Sequence, residues 1–226
     1  NLPLLQHLGA TRALVSTGID ALTLGPAVLT VLSTFDEIIS WYGAHRPEFR
    51  EQVSGLPFRF LTALPGQESG VHAVDFYLRQ VGAPLGAVPR LPVRNDPAGF
   101  VVIHPFSGGK RKNWPLEKFE AVARLLPLPV RWCAGPEEPR DSAVKFADLD
   151  GLSRWLSTAT VYLGNDSGIS HLAAAVGVPV VAIFGPTDPM VWAPRGEHVA
   201  IAGWDWPPER VAALVMELAR TRSPKG

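Results

Sequence analysis

From about residue 99 onward, short β-branched runs alternate with helical patterns, as parallel βαβ units require. The predicted strands are FVVIHP, PVRWCA, TVYLG and PVVAIFG. The predicted helices are PLEKFEAVARLL, LDGLSRWLSTA, SGISHLAAAV and PPERVAALVMELARTR. This order of elements predicts a Rossmann-like α/β domain with a parallel sheet.

The N-terminal part of the chain is less regular. RALVSTGIDALTL and DEIIS are typical of strands, whereas PEFREQV and VHAVDFYLRQV are typical of helices. The stretch GAPLGAVPRLPVRNDPAG, residues 82–99, is dense in proline and glycine and shows little periodicity, which is typical of a linker. We therefore predict a partial α/β domain over residues 1–85, a linker over 86–98 and a larger domain over 99–226.

Charge and hydrophobicity limit the possible partners. The 21 basic and 21 acidic residues cancel, so the net charge does not indicate a general affinity for nucleic acid or an anionic membrane surface. Any phosphate recognition must therefore be local. The longest apolar run, residues 172–184, is too short for a spanning helix and contains Pro179, so we predict no transmembrane segment.

Several kinds of site are not indicated. The single cysteine, Cys133, excludes an internal disulfide framework and is typical of a buried thiol in a reducing compartment. No Cys and His spacing suits zinc, and no G-x-G-x-x-G follows a strand. The serine of GNDSG directly precedes glycine, which excludes a G-x-S-x-G nucleophile elbow. We expect no metal and no dinucleotide cofactor.

Polar, glycine-rich loops follow all four predicted strands: PFSGGKRKNW, GPEEP, GNDSG and GPTDP. Ligands of an open parallel sheet bind beyond the carboxyl ends of its strands, so these loops predict one shared site. In the first loop, Ser107, Gly108 and Gly109 would let backbone amides approach an anion, and residues 110–112 add positive charge. A phosphate site is the favoured interpretation, and a solvated basic turn is the alternative.

The GNDSG loop joins a strand to a helix. Asp166 or Ser167 should cap that helix, and the first backbone amides should then face outward as an anion site. Asp166 would cap the helix, meet a sugar hydroxyl or pair with Lys112. His171 lies one turn further along, and its residue pattern leaves open whether it faces the site or the core. We expect structural roles for four residues near these loops: Trp114, Thr187, Asp188 and Trp192.

Three segments together resemble a known family. HPFSGGKRKNWPLEKF, CAGPEE and GNDSGISHLAAAVGVPVVAIFGPTDPMVWAP resemble the C-terminal half of glycosyltransferase family 9, the ADP-heptose lipopolysaccharide heptosyltransferases and their relatives. The resemblance covers roughly residues 100–195. It implies a GT-B-like α/β fold, in which one Rossmann-like domain holds the nucleotide sugar and a second, truncated here, holds the acceptor.

The resemblance also implies roles for individual residues. Ser107 and Lys112 match donor phosphate contacts, Glu137 or Glu138 the ribose contact, and residues 145–150 the segment whose backbone reads the base. The donor-binding residues implied in this way are Ser107, Gly108, Lys112, Glu137, Glu138, Ala147, Asp166, Ser167, Gly168 and His171. The family's acceptor-activating aspartate lies in a Gly-Asp dipeptide that this sequence lacks, so the catalytic base is unassigned and is expected ahead of Asn1.

The implied function is inverting transfer of a sugar, heptose in the family, from a nucleoside diphosphate sugar to a saccharide or lipopolysaccharide-type acceptor. The implied location is the cytoplasm, with at most peripheral association at the inner face of the plasma membrane. Two alternatives stay open: a non-catalytic nucleotide-sugar binding module, and a nucleotide-sugar epimerase of the same architecture. An upstream segment with a strand and a Gly-Asp dipeptide would favour the transferase.

Overall fold

The computed structural model describes Leu4 and residues 24–65 and 70–222. These residues divide into two compact units: a larger one from Gly86 onward, which includes Leu4, and a smaller one from Leu24 to Leu85. The strand prediction for residues 12–24 lies, apart from Leu24, outside the described residues.

The smaller unit is built on two short parallel strands. Its elements are α1 (Pro26–Leu32), β1 (Ile38–Ser40), α2 (Pro47–Gln52), β2 (Phe58–Phe60) and α3 (Ala73–Val81), and β1 pairs with β2. The predicted strand in DEIIS and the helices in PEFREQV and VHAVDFYLRQV are confirmed. Neither α1 nor β2 was predicted from the sequence; β2 has three residues, which are too few to show a period of two. A small core of Leu24, Leu32, Phe49 and Val53 holds the unit together.

The larger unit contains a five-stranded parallel sheet in the order β4-β3-β5-β6-β7. Its strands are β3 (Val101–His104), β4 (Val130–Trp132), β5 (Val161–Asn165), β6 (Val180–Phe184) and β7 (Val199–Gly203). Its helices are α4 (Leu116–Leu125), α5 (Leu149–Leu156), α6 (Gly168–Ala175), α7 (Pro189–Trp192) and α8 (Pro208–Arg220), with a 3-10 helix at Lys110–Lys112. The four strands and four helices predicted here are confirmed, whereas β7 and α7 were not predicted.

Helices cover both faces of this sheet. Val101 and Ile103 of β3 pack into one core with side chains of α4 and α8. Phe100 and Val102 pack into the opposite core with side chains of α5 and α6. Every residue of β3, β5 and β6 is buried, which explains why these strands are almost continuously apolar instead of alternating.

The helices within the described ranges include none that is long and apolar enough to cross a membrane.

Candidate functional site

Four loops lie side by side at the carboxyl edge of the larger sheet. They follow β4, β3, β5 and β6, which are adjacent and parallel, so the loops necessarily leave the sheet at the same edge. The predicted common edge is therefore confirmed.

Ser167 caps helix α6 in the GNDSG segment. Its Oγ accepts a hydrogen bond from the Ser170 amide at 3.4 Å. The amides of Gly168 and Ile169, in the first turn, have no intrahelical acceptor. A Cβ built on Gly168 would meet no atom within 4 Å, so the space in front of this helix end is open. Of the two predicted caps, Ser167 takes this position and Asp166 does not.

Asp166 instead joins three loops. Its Oδ2 accepts hydrogen bonds from Lys112 Nζ at 3.1 Å and from Thr187 Oγ1 at 2.8 Å. The carboxylate side chain is 9% exposed and that of Lys112 is 30% exposed. The pairing of Asp166 with Lys112 that the sequence analysis offered is thus present, and it places an ammonium group beside the start of α6.

Ser107 and Lys112 shape the loop after β3. Ser107 Oγ lies 2.7 Å from Asn113 Oδ1 and 2.9 Å from Gly109 O, so its hydroxyl closes the turn on itself. The Lys112 side chain runs beneath Gly109, where its Cε would lie 3.5 Å from an added Cβ. A Cβ on Gly108 would again meet no atom within 4 Å. The backbone at Gly108 is therefore accessible to a ligand, and the Lys112 side chain, held by Asp166, lies beneath the turn.

Asn165 is a site residue that the sequence analysis missed. Its buried side chain accepts a hydrogen bond from the Trp114 amide at 2.9 Å and donates one to Pro105 O at 2.8 Å. These two bonds fasten both ends of the loop over residues 105–114 to the end of β5. A carboxamide directly before a predicted helix cap is the signal that could have found it, because only Asn and Gln offer both a donor and an acceptor of this kind.

Glu138, and not Glu137, faces the interior of the loop after β4. Glu137 is exposed, whereas Glu138 Oε2 accepts a hydrogen bond from the Gly135 amide at 2.5 Å and lies 3.0 Å from His104 Nε2. Burial raises the pKa of the Glu138 carboxyl, but these hydrogen bonds and the charge of Lys145 outweigh burial and hold the pKa below its ordinary value. Glu138 is therefore a carboxylate at neutral pH.

A cavity of about 290 Å³ lies next to Glu138. Phe146, Leu149 and Leu152 form apolar walls, and Ala147 also lines it. Ile169, from the first turn of α6, also lines the cavity. The cavity thus adjoins the open amides of α6, and together they offer an apolar recess, a carboxylate and an anion-binding helix end.

His171 is exposed on α6, so the core alternative for this histidine is wrong.

Trp114 is 1% exposed and its Nε1 donates a hydrogen bond to Trp204 O at 2.8 Å. Asp188 caps α7 by accepting from the Met190 amide. Trp192 packs against the core on the α5 and α6 side of the sheet. These contacts are structural, and Thr187 donates a hydrogen bond to Asp166; that none of these residues contacts a ligand stays a prediction.

Cys133 should be chemically inert in the folded protein. Burial and the nearby charge of Glu138 raise the pKa of its thiol to about 12, and only the thiolate reacts readily. We expect iodoacetamide at pH 8 to leave Cys133 unmodified in the native protein and to label it fully in guanidinium chloride, as measured by mass spectrometry. Rapid stoichiometric labelling of the native protein would contradict this.

Within the described ranges, no group of three or more His, Cys, Asp or Glu side chains could hold a metal ion.

Comparison with known proteins points to one family. Residues 146–214 match the model of glycosyltransferase family 9 (heptosyltransferase). Lipopolysaccharide heptosyltransferase 1 of Escherichia coli K12 is 34% identical over 93 residues, which are 34% of this chain and 29% of that protein. Lipopolysaccharide heptosyltransferase 1 of Pseudomonas aeruginosa is 37% identical over 111 residues, 42% of this chain and 31% of that protein. The matches thus span about a third of the length of these relatives.

Solved structures show the same fold. E. coli heptosyltransferase WaaC with ADP superposes with a TM-score of 0.63 at 16% identity, covering 94% of this chain and 80% of that one. E. coli ADP-heptose LPS heptosyltransferase II gives a TM-score of 0.63 at 18% identity, covering 86% and 80%. The predicted α/β, GT-B-like fold class is confirmed. Over residues 146–214, the C-terminal α/β unit of this chain resembles glycosyltransferase family 9.

Proposed function

We propose that this chain belongs to a glycosyltransferase that binds an ADP-sugar at the carboxyl edge of the larger sheet and transfers the sugar, heptose or a close analogue, to a saccharide or lipopolysaccharide-type acceptor. The observation that carries the proposal is the Lys112 ammonium held by Asp166 beside the open end of α6, next to the cavity that Glu138 lines. The relatives named for heptose transfer, and one solved with ADP, support this choice of donor.

The diphosphate would lie between α6 and the loop after β3. The amides of Gly168 and Ile169 would donate to its oxygens, and the partial positive charge of the helix end would favour it. The Lys112 ammonium, which donates one hydrogen bond to Asp166, has further N–H groups that can donate to phosphate oxygens, while Gly108 leaves room for phosphate to approach the backbone. Because Lys112 also neutralises Asp166, the carboxylate does not repel the ligand.

The nucleoside would occupy the cavity. Its apolar walls, Phe146, Leu149 and Leu152, suit a planar base, and the backbone around Ala147 would read the base edge. Glu138, as a carboxylate, accepts hydrogen bonds from hydroxyl groups and would bind the ribose. Ser107, Gly108, Asp166, Ser167, Gly168 and His171 complete the proposed donor site.

In the proposed reaction, an acceptor hydroxyl attacks the anomeric carbon, and the bond from that carbon to the diphosphate oxygen breaks. The hydroxyl proton passes to a carboxylate base, and inversion follows from attack opposite the leaving group. Lys112 and the end of α6 would stabilise the charge that develops on the departing diphosphate, a contribution of about 10²-fold or more in rate. The base is not assigned to any residue of this chain. The acceptor and the cytoplasmic location stay predictions.

Calorimetric titration tests the proposal. We expect ADP to bind more tightly than UDP or GDP, and ADP-heptose to bind the same site in competition with ADP. Incubation of ADP-heptose with a lipopolysaccharide-core acceptor should then release ADP. Binding without transfer would favour the binding-module alternative, release of an epimerised donor would favour the epimerase, and failure to bind any nucleoside diphosphate would overturn the proposal.

A further inference from the structure

His104 is a buried imidazole that the proposed donor contacts do not use. It is the last residue of β3, directly after the apolar Val101, Val102 and Ile103. Its side chain is only 4% exposed, and its ring lies edge-on to Phe106. Burying a polar ring at the end of an apolar strand costs free energy unless its contacts compensate, so the position calls for an explanation.

The polar contact that the imidazole makes is with Glu138. Its Nε2 lies 3.0 Å from Glu138 Oε2, and within the described part of the chain its Nδ1 has no hydrogen-bond partner. A carboxylate only accepts hydrogen bonds, so the proton of this pair belongs to Nε2 of His104. The ring is thus oriented by Glu138 and by packing.

Only one of the two Glu138 carboxylate oxygens takes part in these contacts. Oε2 receives hydrogen bonds from His104 and from the Gly135 amide, whereas no hydrogen bond from the described residues reaches Oε1. Glu138 stands on a long loop between β4 and α5 and is 28% exposed. A glutamate with three side-chain torsions would lose considerable entropy if a ligand alone had to order it.

We propose that His104 is a positioning residue for nucleotide recognition: it holds Glu138 in place so that the remaining carboxylate oxygen accepts the ribose hydroxyls of a nucleoside in the adjacent cavity. The inference rests on the proposed nucleotide site. His104 is too deeply buried to touch the ligand itself, so it acts through Glu138. Because the His104 ring is buried, little water competes with Glu138 for its Nε2, which strengthens the hydrogen bond between them.

Binding of ADP and of 2′,3′-dideoxy-ADP, which lacks both ribose hydroxyls, separates this role from a packing role. In the unaltered protein we expect ADP to bind about tenfold more tightly than the dideoxy analogue, as a hydrogen bond to a charged group allows. His104→Leu should remove most of that preference and change dideoxy-ADP affinity by less than about twofold. His104→Gln should restore the preference for ADP, because the glutamine amide nitrogen lies near the position of Nε2. His104→Asn, with its shorter side chain, should not restore this preference.

A double-mutant cycle tests whether the two residues act together; it adds Glu138→Gln and the double variant His104→Leu/Glu138→Gln. Because both residues act on the same hydroxyls, we expect the double variant to lose no more ribose preference than Glu138→Gln alone. Equal weakening of both ligands by His104→Leu, no rescue by His104→Gln, or additive losses would overturn the inference while leaving the nucleotide site intact. If His104→Leu does not fold, the comparison of Gln with Asn decides the matter. Failure of the unaltered protein to bind ADP would overturn both proposals.

Discussion

Lys112→Ala is expected to weaken ADP binding by about tenfold to a hundredfold, the range for loss of a charge-assisted contact. Lys112 Nζ lies 3.1 Å from Asp166 Oδ2 and the side chain is 30% exposed, so its charge is held in place and only partly screened. The variant also leaves Asp166 without its cation close to the diphosphate, which adds repulsion. Titration calorimetry with ADP and with adenosine measures the effect.

Adenosine affinity should change little in the same variant, because the nucleoside cavity is lined by other loops. Lys110→Ala is the matched control: Lys110 lies in the same 3-10 helix but is exposed, where solvent weakens its charge. Equal losses for adenosine and ADP would assign Lys112 a structural role. A larger effect from Lys110→Ala would identify Lys110 as the phosphate contact instead.

Asn165→Ala is expected to lower the free energy of unfolding by about 2 to 6 kcal/mol. The substitution leaves two buried backbone groups without a hydrogen-bond partner, and each such group costs about 1 to 3 kcal/mol. These groups are the Trp114 amide and the Pro105 carbonyl. The loop over residues 105–114 would lose both anchors, so ADP binding should weaken as well. Urea unfolding followed by tryptophan fluorescence measures the stability change.

Thr160→Val is a suitable control for Asn165→Ala. Thr160 is also buried, but its Oγ1 has no hydrogen-bond partner within the described ranges, so replacing the hydroxyl by a methyl group should leave stability unchanged or raise it. If Asn165→Ala were as mild as Thr160→Val, the two hydrogen bonds would not be what holds the loop.

The sequence predicts the sheet, and the loops at its edge, because both depend on local patterns. β3, β5 and β6 are apolar runs with clear turn residues after them, and parallel order then dictates that the loops share an edge. β2 and β7 carry weaker signals: β2 has three residues, and β7 lies at the sheet edge with mostly half-buried residues. The length and burial of a strand thus decide whether it can be recognised.

Side-chain partners were harder to predict, since they depend on residues far away in the chain. Asn165 bonds to groups 51 and 60 positions away. The choice of Glu138 over Glu137 depends on the path of the loop after β4, which follows no regular period. The exposure of His171 depends on which face of α6 meets the sheet, and α6 is apolar on most sides. His104 was noted only as the end of a strand, because its partner Glu138 is 34 positions away.

A crystal structure with bound ADP tests whether the larger unit holds a nucleoside diphosphate at the carboxyl edge of its sheet. We predict diphosphate oxygens within hydrogen-bonding distance of the Gly168 or Ile169 amide and of Lys112 Nζ. We also predict a ribose hydroxyl that donates to Glu138 and a base that lies between Phe146 and Leu149. ADP bound at the opposite edge of the sheet, or at this edge with its phosphates out of reach of both Lys112 and α6, would contradict these predictions.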